Sequence, residues 1–294
     1  MNKSSWIRRL LLWRLKILAK IILSRLPFGY AFWKRLTLFE HGRMDDPAYA
    51  MNVFKRHFSR CEKSLRSDGF VGLELGPGDS LSSALIFRAF GASKVFLVDT
   101  GDFAGRDMES YCELAQHLRR VGYPAPSDDA LGNVGRLLEA CGAEYLTQGL
   151  DSLRSIADNS VDFIWSQAVL EHIRKRDFVD TLSELRRIMR KDGICSHRID
   201  LRDHLDFALN NLRFKESLWE TEFLSGSGFY TNRIRYGEML DLFNEAGFRV
   251  VVCDVDYWSE LPTPRKRMAE PFRSCPDSDL LVKGFDVMLY PNAG

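Results

Sequence analysis

The stretch that decides the fold is FVGLELGPGDSLSSALIFRAFGASKVFLVD, residues 70–99. It begins with a short apolar run that fits a buried parallel strand. The run breaks at residues 76–80, GPGDS, and residues 81–90 then carry apolar side chains at helical spacing. A second apolar strand follows at 94–99 and ends in an acid. The stretch therefore predicts a strand–loop–helix–strand unit of an α/β fold.

The loop and the second strand end carry groups suited to a nucleotide. Gly76 and Gly78 allow a tight turn that brings backbone N–H groups close to a ligand. Asp99, about 20 residues further on, can accept hydrogen bonds from a ribose diol. A dinucleotide fingerprint needs a third glycine where this chain has Leu81, and Glu74 would repel a pyrophosphate. S-adenosylmethionine carries an ammonium and a sulfonium instead, so the pattern favours that ligand.

Further motifs follow in order: SVDFIWS at 160–166, predicted as a fourth strand, AVLEHI at 168–173, and KDG at 191–193, predicted as the turn into a fifth strand. Together with ELGPG at 74–78 and Asp99, they resemble class I S-adenosylmethionine-dependent methyltransferases, in the small-molecule, type 11-like branch. The resemblance covers roughly residues 70–255 and departs at Ser80, where many members have glycine. It implies a doubly wound, Rossmann-like sheet of seven mostly parallel strands, with helices on both faces and an antiparallel last pair.

The resemblance also implies a set of cofactor-binding residues. Those facing the methionine part would be Glu74, Gly76 and Gly78, with Asp79 beside them, and those holding the ribose would be Asp99 and Thr100. Near the adenine would lie Asp151 and Ser152, just after a third strand predicted at 144–148. Ser166 and Gln167 would close over the sulfonium. For Asp151, a solvated loop acid is an equally good interpretation.

Candidate catalytic residues follow from where strands end. In open α/β sheets the ligand crevice lies beyond the carboxyl ends of the strands, and residues 195–204 there are dense in titratable groups. A hydroxyl acceptor needs a base, and His172, His197 or His204 could serve because histidine titrates near neutrality. Asp200 or Asp203 could orient that base. The alternative for His172 is a helix-start residue bonded to the backbone.

A metal site is an alternative interpretation of the same segment. Glu171 and His172, with His197 or His204, offer ligands that a divalent ion accepts. The arrangement is similar to the Glu-x-x-Glu-His site of metal-assisted O-methyltransferases. Ala168 stands where the first glutamate should be, so the sequence predicts no metal site.

Residues 205–232 interrupt the alternation of strands and helices. They include the glycine-rich stretch SGSG at 225–228. Long connections at the mouth of a site are usually functional, so we expect a substrate lid, with a packing helix over the sheet edge as the alternative. A helix is predicted next at 233–247, and the last two strands are predicted at 249–255 and 282–290.

The N-terminal segment, residues 1–40, is predicted as a basic, apolar, amphipathic helix ahead of a methyltransferase domain at 41–294. Residues 5–26 read SWIRRLLLWRLKILAKIILSRL, which lacks the roughly 18 uninterrupted apolar residues of a membrane span. Such a helix could lie in the membrane interface. It could equally pack on the protein or on a second copy.

The composition narrows the function. Lys plus Arg (41) balance Asp plus Glu (40) at a net charge of +1, which argues against nucleic acid as a partner. Six cysteines without a CxxC pair indicate reduced thiols in a cytoplasmic protein. We therefore expect O-methylation of a small or lipid- or glycan-linked metabolite, in the cytoplasm or at the inner face of the membrane. The alternatives are an NAD-type Rossmann oxidoreductase and a non-catalytic, membrane-associated scaffold. Oligomeric state is not predicted.

Overall fold

The computed structural model describes residues 44–66 and 69–292 of the 294-residue chain. The N-terminal segment 1–40, with the membrane-surface stretch predicted at 5–26, lies outside the described residues. Among the helices that are described, none is both long enough and apolar enough to cross a membrane.

In the described part of the chain, a seven-stranded sheet forms the centre of the fold. Its strands are β1 (Phe70–Leu75), β2 (Ala92–Val98), β3 (Ala143–Leu146), β4 (Val161–Gln167), β5 (Met189–Asp200), β6 (Phe248–Tyr257) and β7 (Val282–Pro291). Their order is β3-β2-β1-β4-β5-β7-β6. The pairs from β3 to β5 are parallel, and β7 runs antiparallel to both of its neighbours. This confirms the predicted sheet and its antiparallel last pair.

Helices cover both faces of the sheet, as a doubly wound fold requires. The longer ones are α1 (Pro47–Phe58), α2 (Ser82–Ala89), α3 (Glu109–Arg120), α4 (Val134–Cys141), α5 (Leu150–Ser155), α6 (Lys175–Ile188) and α9 (Tyr236–Glu245). Four one-turn helices are α7 (Glu216–Trp219), α8 (Glu222–Ser225), α10 (Glu270–Arg273) and α11 (Asp277–Leu280). Helices α1 to α4 share a core on one face, and α5, α6 and α9 share a core on the other.

Aromatic packing holds α1 on the first face. The ring of Phe54 lies 4.9 Å from that of Phe87 and 5.9 Å from that of Trp165, both edge-on. Gly72 makes room for this contact, because a Cβ there would lie 2.2 Å from Phe87 Cε1. Such edge-to-face pairs add to the free energy gained by burial. Helix α1 is therefore fixed against the strands whose ends form the crevice.

Most predicted boundaries agree with the structure, with three differences. The helix predicted at 233–247 begins later and ends earlier, at Tyr236–Glu245. The third strand is shorter than the predicted 144–148. The turn predicted at 191–193 lies inside β5, where Val161 pairs with Met189 but Phe163 pairs with Ile194. The intervening residues bulge out of the ladder, so a turn occurs at the predicted place without ending the strand.

Two long excursions stand beyond the sheet. The 205–232 segment contains α7 and α8 rather than one packing helix, and it has a small core of its own. A second excursion, residues 258–281, joins β6 to β7 and was not predicted. Its Met268 and Leu280 pack against Leu209 and Leu212. The second excursion therefore fixes the first in place.

Candidate functional site

The glycine loop after β1 forms a cradle at the centre of the sheet. Gly76 and Gly78 both have a positive φ, 73° and 64°, which non-glycine residues rarely adopt. A Cβ on Gly76 would also lie 2.6 Å from Cγ2 of Val169. The amide of Gly78 donates to Oδ2 of Asp99 over 2.9 Å. The loop thus lies against the strand-end acid, while the amide of Gly76 donates to the carbonyl of Val98 over 2.8 Å.

Glu74 lies beneath this loop with little access to solvent. Its side chain is buried, and in the described part of the chain its Oε2 has no hydrogen-bond partner. Burial raises the pKa of Glu74 to about 8, because the charged form loses its hydration. A buried carboxylate with an unpaired oxygen is a group that a cationic ligand would stabilise.

The ends of β2 and β3 meet at Asp99. Its Oδ1 accepts from the amide of Thr100 over 2.7 Å, and its carbonyl accepts from the amide of Gly149 over 2.7 Å. Gly149 has a φ of 55°, so this close approach suits glycine. Asp79 is buried, and its carbonyl accepts from the amide of Gly105 over 2.9 Å. These contacts order the predicted ribose side of the crevice.

Asp151 and Ser152 lie at the start of α5, where local contacts hold their side chains. Asp151 is exposed and accepts from Arg154 Nη1 over 2.9 Å. Ser152 is buried, and its Oγ accepts from the amide of Gln148 over 2.8 Å. Asp151 therefore matches the alternative of a solvated acid, and the role of both residues near an adenine stays a prediction.

Gln167, at the end of β4, is held by a histidine that the sequence did not indicate. His57 of α1 places Nε2 3.0 Å from Oε1 of Gln167 and Nδ1 2.8 Å from Oγ of Ser196. Since the amide oxygen can only accept, Nε2 donates and Nδ1 accepts. Burial lowers the pKa of His57 to about 4. Neutral His57 thus orients the side chain of Gln167 and joins α1 to the ends of β4 and β5.

His197 is placed in the interior. It is fully buried, and its Nδ1 lies 2.7 Å from Oγ of Ser166. Burial lowers its pKa to about 3. A histidine removed from solvent and so weakly basic is a poor proton acceptor for a substrate. We therefore correct its assignment as a candidate base. The side chain of Ser166 is buried as well, where it contacts His197.

His172 and His204 come together at the ends of β4 and β5. Their rings stack with centroids 4.8 Å apart, and their Nε2 atoms are separated by 3.1 Å. Nδ1 of His172 lies 2.8 Å from the carbonyl oxygen of Tyr230, so it carries the proton. His172 is bonded to the backbone, as in the alternative interpretation. It also contacts His204, another of the candidate bases.

Asp200 and Asp203, the acids expected to orient these histidines, bind a guanidinium and backbone amides. Asp200 binds the guanidinium of Arg202, with Oδ1 2.8 Å from Nε. Asp203 is buried and accepts from the amides of Leu205 and Asp206 over 3.0 and 2.7 Å. Asp203 therefore shapes the start of the 205–232 segment. The Tyr230 carbonyl holds Nδ1 of His172, and the orienting roles of Asp200 and Asp203 stay predictions.

Glu171 is buried beside the histidine pair. Its Oε1 accepts from the amide of Asp200 over 3.1 Å, and burial raises its pKa well above the ordinary range. A neutral, backbone-bonded Glu171 is a weak metal ligand. Within the described residues no three His, Cys, Asp or Glu side chains are grouped so that they could hold a metal ion.

One family comparison supports the resemblance drawn from the motifs. Residues 105–196 match the type 11 methyltransferase family described as "Methyltransferase domain". This region begins after Asp99 and includes β4, His172 and the first two thirds of β5. The match confirms the predicted resemblance to class I methyltransferases. No curated protein has a sequence that matches this chain.

Solved structures of similar shape include several methyltransferases. The YcgJ protein of Bacillus subtilis is 11% identical, with a TM-score of 0.45 over 84% of this chain and 100% of its own. A SAM-dependent methyltransferase from Aquifex aeolicus is 15% identical, with a TM-score of 0.40 over 89% and 98%. The 1,6-didemethyltoxoflavin-N1-methyltransferase of Burkholderia thailandensis is 13% identical, with a TM-score of 0.44 over 100% and 92%. These values are too low for any substrate to be transferred to this chain.

Proposed function

We propose that this protein is an S-adenosylmethionine-dependent methyltransferase that methylates a hydroxyl of a small or lipid- or glycan-linked metabolite. The observation that carries the proposal is the buried Glu74, whose Oε2 has no partner among the described residues. It lies at the end of β1, directly before the turn formed by Gly76 and Gly78, and close enough to Asp99 for the two carboxyls to interact. The match of residues 105–196 to a methyltransferase family supports the same reaction.

The residues at the crevice fit this cofactor. The carboxylate of Glu74 would hold the ammonium of its methionine part, the glycine loop would admit its backbone, and Asp99 would hold the ribose. When bound, S-adenosylmethionine supplies an electrophilic methyl group on a sulfonium. A nicotinamide dinucleotide fits less well, because its pyrophosphate would approach Glu74 and because Leu81 replaces the third glycine of its fingerprint.

The histidine pair supplies the base. Because the Tyr230 carbonyl holds the proton of His172 on Nδ1, Nε2 of neutral His172 accepts a hydrogen bond. His204 therefore carries its proton on Nε2 and leaves Nδ1 as its basic nitrogen. Nδ1 of His204 would accept the proton of the acceptor hydroxyl, while the hydroxyl oxygen would take the methyl group that the bound cofactor supplies and the sulfonium would leave as a neutral thioether. The resulting imidazolium is stabilised by His172 and lies where solvent can reach the pair.

The surrounding protein sets access to this pair. Asn232 donates through its amide to the Glu171 carbonyl over 2.7 Å and through Nδ2 to the Leu170 carbonyl over 2.8 Å. The 205–232 segment is thus docked beside the loop that carries His172, which supports a role as a substrate lid. The basic segment 5–26 would hold the enzyme at the inner face of the membrane, near a lipid-linked acceptor.

Transfer from methyl-labelled S-adenosylmethionine to a panel of hydroxylated metabolites tests the proposal. The panel should include sugars, glycolipids and quinols, with amines of matched size as controls. We expect label in an O-methyl group of one hydroxylated class. Label found only on nitrogen or carbon would overturn O-methylation, and no transfer to any acceptor despite cofactor binding would favour the scaffold.

A further inference from the structure

Gln167 lies at the end of β4, on the same face of the sheet as Glu74. Trp165, two residues before it, is the register partner of Glu74 in β1. Register partners in adjacent strands point to the same face, and so do side chains two residues apart in one strand. His57 of α1 contacts both the ring of Trp165, with ring centroids 5.0 Å apart, and the amide of Gln167. Glu74 and Gln167 therefore belong to one region of the crevice.

One end of the Gln167 amide is fixed by α1. Its Oε1 accepts from Nε2 of His57 over 3.0 Å, and Nδ1 of His57 accepts from Oγ of Ser196 over 2.8 Å. Burial lowers the pKa of His57 to about 4, so the imidazole is neutral and has one donor and one acceptor nitrogen. Because Oε1 is bound to His57, the NH2 group of Gln167 points away from it.

The NH2 group of Gln167 is accessible to a ligand. The side chain is half-buried, and within the described residues Oε1 is its only atom that hydrogen-bonds the protein. Nδ2 is not among the buried polar atoms that lack a partner, so it keeps access to solvent. An amide N–H can only donate and carries partial positive charge. It would oppose the sulfonium that the sequence places beside Gln167, and it would favour an anionic oxygen.

The proposed cofactor has an anionic group that needs such a donor. In S-adenosylmethionine the carboxylate is attached to the same carbon as the ammonium, so it must lie close to Glu74 when Glu74 holds the ammonium. The amides of the two glycines in the turn are already used: that of Gly76 donates to the carbonyl of Val98, and that of Gly78 to Asp99. The carboxylate therefore needs a donor from another element.

The cation opposite Gln167 is already paired. Arg198 is the register partner of Gln167 in β5. Its Nη1 lies 3.2 Å from Oδ1 of Asp286, and its Nη2 binds Asp256. A carboxylate in the crevice would have to compete with both acids for this guanidinium. The amide of Gln167 offers a hydrogen bond without such competition.

We propose that Nδ2 of Gln167 binds the carboxylate of the methionine part of S-adenosylmethionine, and that His57 is the positioning residue that turns this N–H group towards it. The two charges of the amino-acid group would then be held separately, the ammonium by Glu74 and the carboxylate by Gln167. The identity of the cofactor rests on the proposed function. A Gln167 that covered the sulfonium instead would respond to substitution in the opposite direction.

Calorimetric titration with S-adenosylmethionine and with its decarboxylated analogue, which keeps the ammonium and the sulfonium, tests the role of Gln167. Gln167→Ala should weaken binding of S-adenosylmethionine roughly tenfold, through loss of one hydrogen bond to a charged group, and change binding of the analogue less than about twofold. Gln167→Glu should weaken binding of S-adenosylmethionine at least as much, because two carboxylates would face each other, and should bind the analogue no worse than wild type. Gln116→Glu, the same charge change at an exposed position of α3, is the matched control.

The role of His57 is tested by the same two ligands. His57→Ala should lose the preference for S-adenosylmethionine over the analogue. His57→Gln should keep part of it, because its side-chain NH2 can donate to Oε1 of Gln167. A long-range proton–nitrogen NMR spectrum of the ligand-free wild type reports the tautomer directly, and we expect the proton on Nε2. This spectrum and the Gln167 variants leave the core unchanged, so the test does not depend on the stability of the His57 variants.

Three results would overturn the proposal. They are an effect of Gln167→Ala that is equal for both ligands or absent from both, tighter binding of S-adenosylmethionine by Gln167→Glu, and a proton on Nδ1 of His57. The second would show that Gln167 faces the sulfonium. In each case the wild type still binds S-adenosylmethionine, so the proposed function stands. Absence of S-adenosylmethionine binding by the wild type would instead refute the proposed function, and the assignment of Gln167 with it.

Discussion

The Nε2 atoms of His172 and His204 lie 3.1 Å apart, in rings that stack at the ends of two adjacent strands. The carbonyl of Tyr230 fixes which nitrogen of His172 carries a proton. Because Nε2 of His172 must then accept the hydrogen bond between the two rings, His204 carries its proton on Nε2. The two rings are therefore held together as one unit, with a backbone carbonyl as the group that orients His172.

Replacing His204 should remove catalysis and leave the cofactor site intact. We expect His204→Ala to lower kcat by roughly 10²- to 10⁴-fold, the usual contribution of a general base. His172→Ala should lower it less, because His204 keeps a basic nitrogen but loses its fixed tautomer. The affinity for S-adenosylmethionine should stay within about twofold by calorimetry. His117→Ala, on α3 beside Arg120, is the control; unchanged kcat in His204→Ala would refute the assignment.

The affinity for S-adenosylmethionine should depend on the ionisation of Glu74. Its pKa is raised to about 8 by burial, so the carboxyl is neutral below that pH in the free protein. A cationic ligand favours the charged form. We therefore expect affinity to rise with pH up to about 8, by at most about tenfold per pH unit.

Glu74→Gln isolates this effect. Between about pH 6 and 7 the ligand's amine stays protonated, so in that range the difference between wild type and Glu74→Gln reports Glu74. Calorimetric titrations between pH 6 and 9 measure it. Parallel pH profiles in the two proteins would show that Glu74 does not face the cation.

Gly76→Ala should damage the cradle more than a glycine replacement elsewhere. Gly122 is a matched control, since its φ is 85° and an added Cβ would meet nothing within 4 Å. Both variants should lose about 1–2 kcal/mol from backbone strain. Gly76→Ala should lose roughly 1–3 kcal/mol more, because its Cβ would overlap Val169. Urea unfolding measures both, and equal losses would contradict the described packing.

His57 should make the fold sensitive to acid. Its pKa is lowered from 6.5 to about 4 in the folded protein, so between these values the unfolded state binds the extra proton. The stability that depends on neutral His57 is present above pH 6.5 and is lost as pH falls towards 4, up to roughly 3 kcal/mol.

His57→Asn should remove about one proton from the pH dependence of unfolding. Urea denaturation from pH 7 to 5 gives the slope, with His117→Asn as a control that should behave like wild type. A slope in His57→Asn identical to that of wild type would show that His57 is not buried in its neutral form.

The sequence predicted the sheet well because its strands are short apolar runs bounded by glycines and acids. Glu74, Gly78 and Asp99 could be assigned because they share one local unit. His57 could not, since it meets Gln167 from 110 residues away. Local pattern also could not show that His197 points into the core. The second excursion, residues 258–281, carries no periodic pattern, and only packing on Leu209 and Leu212 reveals its role.

Calorimetric titration of the protein with S-adenosylmethionine and, separately, with NAD tests the central claim most directly, when repeated on Asp99→Ala. Asp99 is chosen because it contacts the glycine loop through Gly78 and lies at the predicted ribose. Micromolar binding of S-adenosylmethionine alone, lost in Asp99→Ala, is the predicted result. Binding of NAD, or of neither ligand, would contradict the account of Glu74 and Asp99 as a methyltransferase site.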